Sequence, residues 1–191
     1  LEGKIIVFLG SSVTYGASAC GESFVDMIQA RTGCISIKEA VSGTTLVDDT
    51  AESYVSRIKN ITPANVDLFV CQLSTNDASQ GKPLGVVSES MEIDDFDTET
   101  VAGAMEYIVA YAQENWGCPV AFYINPKYES PKYQEMVKLT YEIKEKWGIT
   151  VIDMWNDEEF NNISEKQYSL YMADSIHPTR AGYRDWLTPF M

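Results

Sequence analysis

The stretch "KIIVFLGSSVTYG" (residues 4–16) sets the pattern that the rest of the chain repeats. Its apolar run over 4–9 predicts a buried strand, which ends at Gly10. Two serines and a second glycine follow. Such a turn is either an ordinary strand-to-helix connection or one that presents a nucleophile.

Short apolar runs alternate with longer amphipathic stretches along the whole chain. Further strands are predicted over 34–40, 66–73, 119–125 and 149–155. Helices are predicted over 23–33, over 49–61 with Pro63 just beyond, and over 98–117, 130–148 and 179–190. This order predicts an α/β fold of three layers, α/β/α. Its five-stranded parallel sheet is expected in the flavodoxin-like order 2-1-3-4-5.

Composition limits the classes of function. The 191 residues predict one domain over 1–191. The net charge of −14 disfavours nucleic acid and anionic membrane surfaces as partners. No apolar run is long enough for membrane insertion. The four cysteines lack metal-like spacing, so no metal site is expected.

The start of the chain gives no secretory signal, because its apolar run is short and fits a first strand. This favours a cytoplasmic location, but the compartment stays open, as does the oligomeric state.

One segment, residues 81–100, is longer than the usual connection between a strand and its helix. Six acidic residues lie between Glu89 and Glu99, and we call 81–100 the acidic segment. It is either a solvated surface insertion or a wall or lid over a site.

Polar motifs follow each predicted strand, where ligands bind in open parallel sheets. They are "GSSVTYG" (10–16), "VSGTTL" (41–46), "STND" (74–77), "NPKY" (125–128) and, after the fifth strand, "ADSIHPT" (173–179). The fold is expected to bring these distant motifs to one edge.

His177 is the sole histidine and hence the one candidate for an imidazole base. Asp174, three residues earlier, can accept a hydrogen bond from its Nδ1 in a tight turn. Ser12, at the turn after the first strand, is the candidate nucleophile. Alone, Asp174 and His177 would also fit a surface turn.

Three donors are candidates for an oxyanion hole: the backbone N–H groups of Ser12 and Gly43 and the side-chain amide of Asn76. Tyr15, Asn125 and the other residues of "NPKY", and the stretch 155–171 are candidates for substrate binding. Each motif alone also fits an ordinary turn or helix cap.

The four motifs around Ser12, Gly43, Asn76 and His177, taken in order, resemble those of the SGNH hydrolases, which include the GDSL esterases and lipases. The resemblance spans residue 4 to about 183. Two departures are Ser11, where the family usually has an acid, and Ser74, where a glycine is common. Both departures are expected to affect the shape of the pocket.

The resemblance implies a serine esterase or acylhydrolase with a Ser12–His177–Asp174 triad, an acyl-enzyme and no cofactor. Its substrate is expected to be a small-molecule ester with a short acyl chain, such as an acetylated carbohydrate. The alternatives are a lysophospholipase or thioesterase of the same family, or a non-catalytic flavodoxin-like module that binds an anion.

Overall fold

The computed structural model describes residues 1–62 and 65–191. Within them, five strands form one parallel sheet in the order β2-β1-β3-β4-β5, which confirms the predicted fold class and topology. The strands are β1 (Ile5–Gly10), β2 (Ile35–Ala40), β3 (Leu68–Gln72), β4 (Val120–Ile124) and β5 (Thr150–Asp153).

The central strands are almost wholly buried because helices cover both faces of the sheet. Alternate side chains of β1 enter opposite cores: Val7 and Leu9 belong to one, and Ile6 and Phe8 to the other. The edge strands β2 and β5 are only partly buried. Because all five strands are parallel, their carboxyl ends meet at one edge of the sheet.

The helices connect these strands and flank the sheet. They are α1 (Ser12–Tyr15), α2 (Phe24–Thr32), α3 (Tyr54–Ile58), α4 (Thr75–Ser79), α5 (Val101–Trp116), α6 (Pro131–Trp147), α7 (Glu158–Asn161), α8 (Glu165–Tyr171), α9 (Arg180–Gly182) and α10 (Thr188–Phe190), with a π-helical turn at Tyr183–Leu187 and 3₁₀ turns at Ala17–Ala19 and Ile93–Asp95.

The helix predicted over 49–61 is only five residues long, since α3 begins after Ser53. Side chains around its start bond locally instead: the hydroxyls of Ser53, which caps α3, and of Ser56, in its first turn, both donate to Asp48 Oδ1, at 2.6 and 2.7 Å. Such bonds compete with helical backbone pairing. Pro63, expected just beyond this helix, lies outside the described residues.

The helix predicted over 179–190 is present as an unbroken helical run over 180–190, in which α9 and α10 flank the π-helical turn. In this arrangement the Tyr183 hydroxyl donates to the Val13 carbonyl and Trp186 Nε1 donates to the Phe160 carbonyl, at 2.7 and 2.9 Å. The irregular C-terminus therefore bonds to the segment that carries Ser12.

The acidic segment packs against α5 and α6. Glu106 of α5 accepts a hydrogen bond from the Ser88 N–H at 2.8 Å, and Lys146 of α6 donates to the Ser88 carbonyl at 2.7 Å. The Phe96 ring lies 5.8 Å from that of Trp147, the last residue of α6. From Trp147 the chain continues into the amino end of β5, which lies away from the edge where the carboxyl ends meet. These contacts therefore favour a surface insertion over a lid.

Candidate active site

Ser12 begins α1, directly after the carboxyl end of β1. Gly10 allows this sharp turn, because a Cβ at that position would lie 1.8 Å from Thr14 Oγ1. Gln72 at the end of β3 fixes both sides of the turn: its Oε1 accepts from the Ser11 N–H and from the Thr14 hydroxyl, each at 2.9 Å.

Two buried tyrosines support the same turn from below. Because the Thr14 hydroxyl donates to Gln72, the Tyr123 hydroxyl donates to Thr14 Oγ1, at 2.6 Å. The Tyr183 hydroxyl donates to the Val13 carbonyl. Burial raises the pKa of both tyrosines, so they remain protonated donors.

The three residues of the predicted triad lie in contact. Ser12 Oγ is 2.9 Å from His177 Nε2, and His177 Nδ1 is 2.7 Å from Asp174 Oδ2. The carboxylate therefore favours the tautomer with its proton on Nδ1 and leaves Nε2 to accept the serine proton.

Asp174 is fixed by its own backbone turn. Its Oδ1 accepts from the backbone N–H groups of Ile176 and His177, at 2.7 and 2.8 Å. Burial opposes ionisation, yet the hydrogen bonds from the His177 ring and from these two N–H groups lower the pKa of Asp174 below its usual value. The carboxylate thus stays charged at neutral pH.

A small antiparallel bridge closes the turn that carries this pair. Met172 pairs with Pro178, and the Ala173 N–H donates to the His177 carbonyl at 2.9 Å. Thr179 then caps α9 by accepting from the Gly182 N–H at 3.1 Å. The motif "ADSIHPT" is therefore a tight turn with His177 at its far end.

Gly43 and Asn76 are brought together through Thr44. Asn76 Nδ2 donates to the Thr44 carbonyl at 2.8 Å, which leaves its second N–H for a ligand. Gly43 has φ of +83°, the left-handed region that favours glycine, and a Cβ there would meet nothing within 4 Å. Its backbone therefore borders open space.

Ser74 and Asp77 stabilise this arrangement, and Asp77 is a residue that motif analysis missed. Ser74, one of the two departures from the family pattern, caps α4 by accepting from the Asn76 and Asp77 N–H groups. The buried Asp77 carboxylate accepts from the Leu46 and Val47 N–H groups, at 2.7 and 3.2 Å. Burial raises the pKa of Asp77, while these bonds oppose that shift.

The two predicted substrate-binding residues differ in accessibility. Tyr15 is 45% exposed on α1, and Lys38 Nζ lies 5.9 Å from the centre of its ring. Asn125 is 1% exposed at the end of β4, and its side-chain amide has no hydrogen-bond partner. Tyr15 is thus the accessible one of the two.

Two clefts of about 550 and 500 Å³ follow β4 and β5, and Lys127 and Trp155 line both. The first is bordered by Asn156 and three acidic side chains, the second by Glu129 and Ser130. Most residues that line the first cleft are polar or charged, whereas Tyr128, Pro131 and Trp155 give the second a mixed lining.

Within the residues that the structure describes, no group of three or more histidine, cysteine or acidic side chains could hold a metal ion. No helix in that part of the chain is long and apolar enough to cross a membrane.

The model of the GDSL-like Lipase/Acylhydrolase family matches residues 8–184. Among solved structures, a Lactobacillus plantarum protein is 20% identical with a TM-score of 0.84, covering 100% of this chain and 95% of that one. A member of the lipolytic protein G-D-S-L family from Veillonella parvula is 16% identical with a TM-score of 0.73, covering 98% and 96%. These structural likenesses establish the fold alone. No curated protein matches the chain.

Proposed function

This chain belongs to the GDSL-like lipase/acylhydrolase family of hydrolases, as its motifs predict, and we propose that it is a serine esterase with Ser12 as nucleophile. The continuous contacts from Ser12 Oγ to His177 Nε2 and from His177 Nδ1 to Asp174 carry the proposal. They supply a nucleophile, a base and a group that orients the base.

In the proposed reaction, Ser12 Oγ attacks the ester carbonyl carbon while His177 Nε2 takes the serine proton. The tetrahedral intermediate then collapses, the alcohol leaves with the proton from His177, and an acyl-Ser12 ester remains. Water, deprotonated by His177, attacks this ester. The second tetrahedral intermediate then collapses, the acid leaves, and Ser12 Oγ takes back the proton from His177.

The negative charge on the former carbonyl oxygen needs donors that are already in place. We assign this role to the N–H groups of Ser12 and Gly43 and to the free N–H of the Asn76 amide. Ser12 supports the assignment because it is the first residue of α1, and the first N–H groups of a helix have no partner within it.

For the substrate, we propose a short-chain ester, such as acetyl, on a hydrophilic alcohol such as a carbohydrate. Polar side chains at the carboxyl edge of the sheet, Lys127 after β4 and Asn156 after β5, support a hydrophilic leaving group. The anion-binding alternative is less well supported, because α1 is a helix of four residues and His177 lies against its first serine.

A fluorophosphonate probe and a series of esters of increasing acyl length test the proposal. The wild type is expected to form one covalent adduct at Ser12 and to hydrolyse acetyl esters fastest. Ser12→Ala should abolish labelling and turnover but not folding, because the hydroxyl itself is the reacting group.

Ser18→Ala, a variant of an exposed serine in the 3₁₀ turn Ala17–Ala19, is the matched control and should behave like the wild type. Labelling that persists in Ser12→Ala would contradict the proposal. Faster hydrolysis of long-chain esters would instead contradict the assigned substrate class.

A further inference from the structure

Arg57 is a buried cation on α3 that the proposed reaction does not use. The residue is 6% exposed, and its guanidinium lies 5.3 Å from the centre of the Tyr54 ring. All five N–H donors have acceptors: Nε bonds the Glu52 carbonyl, Nη1 bonds the carbonyl and Oε1 of Glu39, and Nη2 bonds the Gly10 carbonyl and Thr44 Oγ1, at 2.8 to 3.1 Å.

Four of these five acceptors, all but the Glu52 carbonyl, lie on three segments that converge at the carboxyl edge. Gly10 ends β1, two residues before Ser12, and Glu39 lies near the end of β2. Thr44 directly follows Gly43. A single planar group thus joins the end of β1, the end of β2 and the loop that carries Gly43.

Thr44 extends the connection to Asn76. Its hydroxyl accepts from Arg57 Nη2 at 3.0 Å, and its carbonyl accepts from Asn76 Nδ2 at 2.8 Å. One residue therefore connects the guanidinium to the Asn76 amide. Arg57 is thus connected to all three proposed oxyanion donors. Ser12 lies two residues after Gly10, Gly43 directly precedes Thr44, and Asn76 is hydrogen-bonded to Thr44.

We propose that Arg57 is a positioning residue that sets the geometry of the oxyanion hole, an inference that rests on the proposed esterase function. The planar guanidinium spreads five donors over a rigid fork, whereas a lysine ammonium presents three donors from one point. Lysine at position 57 keeps the charge but cannot reach all of these acceptors at once.

Arg57→Lys therefore keeps the positive charge but removes the planar arrangement of donors. We expect kcat for an acetyl ester to fall roughly tenfold to a hundredfold, because displaced donors no longer meet the developing charge. KM and the midpoint of the acid limb of the pH–rate profile should stay unchanged, because neither depends on the oxyanion donors. Arg31→Lys, a variant of an exposed arginine on α2, is the matched control and should keep wild-type values.

Thr44→Val provides a second variant if Arg57→Lys does not fold. It removes the hydroxyl that accepts from Arg57 while nearly preserving shape, and it should also lower kcat without changing KM. Thermal unfolding of each variant shows whether a lower rate reflects a smaller folded fraction.

Wild-type kcat in a folded Arg57→Lys or Thr44→Val protein would overturn the inference. A decrease in kcat that matches the unfolded fraction of the variant would also overturn it. So would a change in KM as large as the change in kcat. A wild-type protein that neither reacts with fluorophosphonate nor hydrolyses any ester would instead refute the proposed function, and the role of Arg57 with it.

Discussion

Asp174 serves His177 through both of its carboxylate oxygens. Oδ2 contacts the imidazole, while Oδ1 accepts from two backbone N–H groups of the same turn. The aspartate thereby orients the ring and fixes the loop that carries it. The lowered pKa of Asp174 means that it stays ionised as the pH falls through the range where an imidazole ordinarily gains its proton.

We therefore expect kcat/KM to fall at acid pH because His177 gains a proton, while Asp174 remains charged. His177 is the sole histidine, so an NMR titration contains one imidazole to follow. Its midpoint should coincide with that of the acid limb of the rate profile. Two clearly separated midpoints would assign the acid limb to another group.

The elements that carry Ser12 and Asn76 are very short. α1 has four residues and α4 has five, too few to be stable as isolated helices. Tertiary hydrogen bonds hold them instead, and for α1 the Thr14 hydroxyl is central, since it lies between Gln72 and Tyr123. Rigid placement of the proposed nucleophile thus depends on buried polar side chains.

Thr14→Val should lower the free energy of unfolding by about 1 to 3 kcal/mol, because it leaves the buried Tyr123 hydroxyl without its acceptor. Tyr123→Phe should lower the free energy of unfolding less on the Thr14→Val background than it does in the wild type. Chemical unfolding of the two single variants and the double variant measures this difference. Strictly additive effects would show that the hydrogen bond is not what stabilises α1.

Sequence patterns predicted the long elements and the proposed triad more completely than the groups that hold them. Strands and helices such as α5 and α6 have clear apolar patterns, and Ser12 and His177 lie in recognisable motifs. Gln72 and Arg57 have no such signal, because the partners that a polar side chain reaches depend on tertiary packing. The one hint in the sequence was Gln72 itself, a polar residue near the end of the apolar run over 66–73.

The molecule as a whole is strongly acidic, with a net charge of −14. The acidic segment contributes to this charge, but its contacts run along α5 and α6. Glu158 and Glu159 instead line a cleft after β5, at the same edge of the sheet as the candidate site. Discrimination against anionic substrates should therefore depend more on Glu158 and Glu159 than on the acidic segment.

At low salt, neutral esters should be cleaved faster than anionic esters of equal acyl length, and added salt should narrow the gap because exposed charges are screened beyond about 10 Å at 0.1 M. Neutralising Glu158 and Glu159 to Gln should narrow the gap more than neutralising Asp94 and Asp95 to Asn. Relative kcat/KM values across a salt series test this. The reverse ranking would show that the acidic segment faces the site.

Ser12 and His177 are 165 positions apart, and β1 pairs with β2 and β3, which both follow it in the chain. During synthesis on the ribosome, the serine therefore emerges long before its base. In the proposed mechanism, the Ser12 hydroxyl of a nascent chain is not activated until the Asp174–His177 turn has left the exit tunnel and packed against it. If the proposed mechanism is right, Ser12 can therefore react with esters only after the segment that carries Asp174 and His177 has been made and has folded.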